Sequence, residues 1–210
     1  LYKKIATAHN LSIEGLHVYD GHIRYPKISE RKKVCDAAFE EVISLKRKLE
    51  KRGFNVKNIV AGGSPTFPIH AKRDGIVASP GTTLLWDDGY GSLFTDMPFQ
   101  CAAVLVTRLI SKPTNEQFCL DLGHKSLASE MAFPRVKFLN TDDLDQLGQS
   151  EEHFVVRPGH PETHEIGDVY YAIPKHICPT VAKYPRVFTV VDGLVTGSWR
   201  VAARDHKISI

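Results

Sequence analysis

Residues 29–66 read SERKKVCDAAFEEVISLKRKLEKRGFNVKNIVAGGSPT, and this stretch sets the fold class. Val34, Ala38, Val42, Leu45 and Leu49 recur at helical spacing, with Arg31, Lys32, Glu40, Arg47 and Lys48 on the opposite side. Ser29 is placed to cap the start of this helix, and the helix is expected to end at Lys51 or Arg52, before Gly53. Residues 56–61 then read as a buried strand that runs into the small-residue turn Gly62-Gly63-Ser64-Pro65-Thr66. A helix feeding a strand that ends in such a turn is one unit of a parallel α/β architecture.

Working outward, residues 1–10 read as the tail of a helix. Residues 13–19 read as a short strand ending in Asp20-Gly21-His22, and residues 76–86 as a strand-like run broken by Ser79-Pro80-Gly81. This order is that of part of a (β/α)8 barrel. Three strands cannot close one, so the rest of the barrel is expected upstream of Leu1. Beyond about Gly91 the pattern changes to strands without helices between them, over residues 100–110, 117–120, 168–173, 186–191 and 194–202. Residues 112–115 read as a turn, residues 140–150 and 157–167 as loops, and Asp192-Gly193 as a two-residue hairpin. The expected class is therefore α/β + β: residues 1–90 form a partial barrel and residues 91–210 a β-rich domain.

Composition narrows the function. Apolar residues make up 42% and charged residues 24% of the 210, which is ordinary for a globular chain and far from the disordered regime. The 27 basic and 24 acidic side chains are interspersed, and their small excess of +3 gives no basic stripe for nucleic acid or an anionic membrane. No apolar run has the length of a membrane span, and Leu-Tyr-Lys-Lys does not open a signal peptide. A cytoplasmic protein with a small-molecule partner is the expectation. The four cysteines are too scattered for a secreted disulfide framework, and Cys35, Cys101 and Cys119 read as buried thiols.

Three local constellations carry chemistry. His176-Ile177-Cys178, between Pro174 and Pro179, places an imidazole and a thiol on one side of an extended segment, where both can reach one ion; the pair suits zinc and leaves positions open for substrate. The turns Gly62–Thr66 and Ser79–Thr83 offer small residues and the hydroxyls of Ser64, Thr66 and Thr82, which fits a phosphate cup. The stretch from Tyr19 to Tyr25 brings aromatic hydroxyls to the end of the first strand.

Taken in order, Gly15-Leu-His-Val-Tyr-Asp-Gly-His22, Gly62-Gly-Ser-Pro-Thr66, Ser79-Pro-Gly-Thr82 with Trp86-Asp87, Asp121-Leu-Gly-His-Lys-Ser-Leu127, Ser150-Glu-Glu-His153 and Pro174-Lys-His-Ile-Cys-Pro-Thr180 resemble the D-threonine aldolase and D-serine dehydratase family of alanine-racemase-like pyridoxal-phosphate enzymes. The resemblance runs from about residue 11 to the C-terminus. It implies that Ser64, Gly81 and Thr82 hold the phosphate of pyridoxal 5'-phosphate, that Tyr19 and Tyr25 stand beside the cofactor, and that His176 and Cys178 bind a divalent metal: zinc, manganese or magnesium. It also implies a D-β-hydroxy-amino acid substrate, a homodimer, and a cofactor-linked lysine upstream of Leu1. His153 is placed near the active site without an assigned role. Aldolase cleavage and dehydration both remain open, as does a non-catalytic cofactor-binding relative, while the metal pair argues against a racemase.

Overall fold

The computed structural model describes residues 1–205, and these form two compact units, Leu1–Thr83 with Leu93–Pro98, and Leu84–Ser92 with the chain from Phe99 onward. The first unit contains α1 (Tyr2–Ala6), β1 (Gly15–Val18), α2 (Ile28–Glu50), β2 (Asn58–Ala61), α3 (Phe67–His70) and β3 (Ile76–Ala78). The strands are parallel and lie in sequential order, each reached from the last across a helix. Their register pairs Val18 with Ala61 and Ala61 with Ala78, so all three strands end at one edge of the sheet. The loops that follow them, beginning at Tyr19, Gly62 and Ser79, therefore share that edge. A core of Phe39, Leu49, Val56, Ile59 and Ala61 packs α2 on the sheet.

Helix α2 is present as the periodicity predicts, but its cap and its faces differ. Lys27, not Ser29, is the N-cap, and its carbonyl accepts the first helical hydrogen bond from the Arg31 N–H. The reason is Arg31 itself. Assigned by pattern to the solvent side, it is wholly buried: its guanidinium donates to the carbonyls of Tyr25 (2.8 Å) and Pro26 (2.9 Å) and pairs with Asp96 at 2.5 Å, over the ring of Phe94. The chain is held there and turns helical directly after Lys27. The buried seam runs Arg31, Cys35, Phe39 and Leu49, while Val34, Ala38 and Val42 flank it and Leu45 faces solvent. Gly53, at φ 81°, ends the helix as expected, and the Phe54 N–H returns to the Leu49 carbonyl.

The second unit begins with α4 (Asp88–Leu93). It continues through β4 (Leu105–Thr114), β5 (Gln117–Leu120), β6 (Val136–Phe138), β7 (Leu144–Gln149), β8 (Phe154–Pro158), β9 (Val169–Pro174), α5 (Ile177–Val181), β10 (Arg186–Val191) and β11 (Leu194–Arg200). Six strands form an antiparallel sheet in the order β6-β9-β4-β5-β8-β7, and β10 and β11 form a separate hairpin. Leu109, Phe118, Leu120, Leu122, Val136, Phe154, Val156 and Ala172 make its core.

Several sequence expectations are corrected here. Residues 140–150 are not all loop: β7 lies within them, and it escapes pattern reading because Leu144 is its one buried residue and amides supply the order. Gln146, for example, accepts from the Arg135 N–H and donates to the Val136 carbonyl, both at 2.7 Å. The start of 157–167 belongs to β8. Residues 112–114 continue β4 rather than turning, and a register shift between Ser111 and Thr114 accommodates Pro113, which has no N–H for the ladder. Cys35 is buried, but Cys101 and Cys119 are only half-buried; along β5, Phe118 and Leu120 take the core face and leave Cys119 on the other. The segment beyond Gly91 is not free of helices, since α5 follows β9. No helix among the described residues is long and apolar enough to cross a membrane.

Candidate functional site

The turn after β2 is built by its glycines. Gly62 sits at φ 108°, and a Cβ there would also lie 2.9 Å from the His70 ring; its N–H reaches back to the Val18 carbonyl at 3.1 Å. A Cβ on Gly63 would press on the Tyr19 ring at 3.1 Å. Ser64 is buried, and its Oγ accepts the N–H of Thr82 at 3.1 Å, which joins the turn after β2 to the turn after β3. The Ser64 hydroxyl keeps its own hydrogen for another acceptor. Gly81 is exposed, with no atom of the described residues within 4 Å of where a Cβ would stand. Buried hydroxyls backing an open glycine lip suit a phosphate, so these residues fit that part of the cofactor.

The other expected cofactor residues are placed less tightly. Tyr19 is 73% exposed, its ring lying over Gly21 and Gly63. Tyr25 is half exposed, and the structure engages it through its carbonyl, which accepts from Arg31. The Thr66 hydroxyl is already committed to Asp20 at 2.5 Å, so it is not a donor to the cup.

In the second unit, His176 and Cys178 do not lie in an extended segment. His176 has extended angles (φ −139°, ψ 107°) but is the N-cap of α5, and Cys178 lies in the helix's first turn. The winding has local causes. Pro174 closes β9, the buried Asp87 carboxylate accepts the Ile177 N–H at 3.0 Å, and the Thr180 hydroxyl donates to the His176 carbonyl at 2.7 Å. Pro179 is tolerated because the first helical turn needs no internal N–H donor.

The two side chains still meet. His176 hydrogen-bonds Cys178, and its Nδ1 lies 2.5 Å from Glu130 Oε1. The bond to Cys178, then that to Glu130, push the imidazole up to about 9 against the opposing effect of its burial. A carboxylate on one imidazole nitrogen is the usual support of a metal-ligating histidine. With a thiol alongside, the donor set fits a divalent ion. Cys178 is exposed and so accessible to one.

Glu130 and Asp87 are the residues that sequence reasoning missed here. Glu130 stands in no pattern, and only the Trp86-Asp87 pair gave a trace of the second. Burial raises Asp87 above the usual carboxylate range, against the N–H groups of Ile177 and Tyr90 that lower it. His153 is exposed, and its carbonyl accepts the Ser150 N–H.

A family model described as "Putative serine dehydratase domain" matches residues 102–190. The chain is 28% identical over 201 residues to D-threonine aldolase from an Arthrobacter species, covering 92% of this chain and 52% of that protein. It is 24% identical over 212 residues to 3-hydroxy-D-aspartate aldolase of Paracoccus denitrificans, covering 96% and 54%. The crystal structure of D-threonine aldolase from Filomicrobium marinum matches the fold with a TM-score of 0.83 at 21% identity, over 96% of this chain and 56% of that one. The chain thus spans about half the length of the relatives it matches. In motif order, family model and relatives alike, the chain is similar to the D-threonine aldolase and D-serine dehydratase-like proteins, and its fold matches part of their alanine-racemase-like fold.

Proposed function

We propose that this chain is part of a pyridoxal-phosphate- and metal-dependent lyase that cleaves D-β-hydroxy-amino acids in the manner of a D-threonine aldolase, giving glycine and an aldehyde. The observation that carries the reading is His176, supported on Nδ1 by Glu130 with the Cys178 thiol beside it. In this reading Ser64, Gly81 and Thr82 seat the phosphate, Tyr19 and Tyr25 flank the cofactor, and His176 and Cys178 hold the ion. Residues 1–90 serve the cofactor and residues 91–210 the metal, in a cytoplasmic homodimer. When bound, the cofactor supplies an electron sink at the substrate's α-carbon and the divalent ion supplies Lewis acidity at its β-hydroxyl. The protein's own part is positional. Ser64 fixes the cup by accepting from Thr82, and Glu130 keeps the imidazole in one orientation.

A dehydratase that releases a keto acid and ammonia is the second reading, favoured by the description of the matching family model. Assaying the whole protein with D-threonine and D-serine separates the two, since glycine with an aldehyde marks the first and a keto acid with ammonia the second. Both require loss of activity on chelation and its return with a divalent ion. Turnover that ignores chelation overturns the metal role, and no turnover with cofactor and ion both bound leaves a non-catalytic relative.

A further inference from the structure

The first unit holds another group of metal-type donors, which the lyase reading does not use. Asp20 follows β1, Cys35 lies in α2 and His70 ends α3, and their donor atoms converge. His70 Nε2 is 2.8 Å from Asp20 Oδ2 and 3.4 Å from Cys35 Sγ, and that sulfur is 3.7 Å from Asp20 Oδ2. Among the described residues this is the one place where three such donors lie together. We propose that Asp20, Cys35 and His70 form a buried site for a zinc-class divalent ion, which locks the Gly62–Thr66 turn.

Bond lengths to zinc of about 2.0–2.3 Å set neighbouring tetrahedral ligands roughly 3.3–3.7 Å apart. Two of the three edges already have that length. The third is a hydrogen-bond distance, and it opens by about half an ångström when an ion replaces the shared proton. Cys35 and His70 are almost wholly buried and Asp20 retains a little exposure, so the site is closed apart from one side where water can complete the shell. An ion on Nε2 places the ring proton on Nδ1, which is buried with no partner among the described residues, so that N–H is a cost which the three-ligand geometry has to outweigh. The Phe39 ring meets the imidazole edge-on at 5.3 Å and holds its plane.

Charge balances as well. Asp20 and a Cys35 thiolate together neutralise a doubly charged ion; the Arg73 guanidinium, which donates to Cys35 Sγ at 3.7 Å, has its own counter-charge in Asp36 at 2.6 Å. Burial, and then the Asp20 charge, push the Cys35 thiol up to about 11, so binding releases its proton. The second oxygen of Asp20 accepts the Thr66 hydroxyl at 2.5 Å, and Thr66 Oγ1 accepts the Gly63 N–H at 3.3 Å. An ion on Asp20 would therefore stiffen the turn that carries Ser64.

The test uses the whole chain with His176→Ala and Cys178→Ser, which removes the other imidazole–thiol pair and makes the outcome independent of the lyase reading. Cobalt(II) is titrated under reducing conditions. The expected result is a near-ultraviolet thiolate-to-cobalt charge-transfer band that saturates at one ion per chain and is absent after adding Cys35→Ser. Asp20→Asn, which keeps the side chain's shape, serves where the cysteine variant does not fold. It must weaken cobalt binding at least about tenfold. No band in the folded double variant, or a band indifferent to Cys35→Ser or Asp20→Asn, overturns the site and leaves a hydrogen-bonded cluster.

Discussion

The backbone N–H of Thr82 donates to Ser64 Oγ at 3.1 Å, and this one bond fastens the loop after β3 to the loop after β2. Ser64→Ala removes a buried acceptor and exposes the Thr82 N–H to loss of that partner, at a cost of about 1–3 kcal/mol. We expect urea denaturation to shift by that amount. Loaded protein should also release pyridoxal phosphate faster on gel filtration. A variant with unchanged stability and unchanged retention would remove Ser64 from the cup.

Arg31 and Asp96 set a second expectation. The guanidinium is fully buried with three acceptors around it, so Arg31→Ala takes the donor from a carboxylate and two carbonyls. Asp96 stays open to water, so the loss is that of hydrogen bonds to a charged donor, about 1.5–3 kcal/mol. Arg31→Lys should recover only part of the loss, because an ammonium cannot reproduce the planar fork that reaches both carbonyls and Asp96. Chemical denaturation of both variants checks this, and equal stability of Arg31→Lys and the parent would refute it.

Arg31 also marks where the sequence stops being readable. Its burial depends on Asp96, 65 positions away, and no local period can reveal that. The hairpin at Asp192-Gly193 was legible because its chemistry is local: the two residues sit at φ 50° and 77°, as the type I′ turn of such a pair requires. The parallel strand order in the first unit was likewise carried by α2 and the turns around it. Strand β7 was not, since its burial falls on one leucine. His176 and Cys178 were singled out from spacing and resemblance, yet Glu130 and Asp87, which contact that segment, come from distant chain and had to await the fold.

Two glycines of the second unit should respond in opposite ways to the same change. A Cβ on Gly123 would lie 2.1 Å from the Glu151 carbonyl oxygen, where the backbone is held by the His124 N–H on the Ser150 carbonyl and the Lys125 N–H on the Glu151 carbonyl. Gly123→Ala must part these segments, and overpacking of that kind costs about 1–3 kcal/mol. Gly148, in β7, has no atom of the described residues within 4 Å of its Cβ position and no positive φ. Gly148→Ala is expected to be neutral or to stabilise by up to about 1 kcal/mol, through the unfolded chain. Thermal denaturation of the two proteins side by side decides the matter, and similar losses in both would show that the close approach at Gly123 has no weight.

Asp143 should impose a recognisable pH dependence on stability. Its carboxylate accepts from His164 Nε2 at 3.1 Å and from the His160 backbone N–H at 2.9 Å, and it lies 3.0 Å from His160 Nδ1. The His164 bond first, then the His160 N–H, bring it down to about 2, while the same carboxylate raises His160 above its ordinary value. A lowered carboxylate stabilises the fold above its unfolded value of about 3.9 and loses that contribution as pH falls toward 2. A raised histidine stabilises below its unfolded value of about 6.5 and loses its contribution as pH rises through the folded one. Both contributions are therefore present together between about pH 4 and 6.5. Asp143→Asn keeps one acceptor oxygen but removes the charge, so the difference in melting temperature between parent and variant should be greatest in that window and shrink on either side. A difference that stays level from pH 3 to pH 8 would mean that the histidines around Asp143 are held by packing and neutral hydrogen bonds alone.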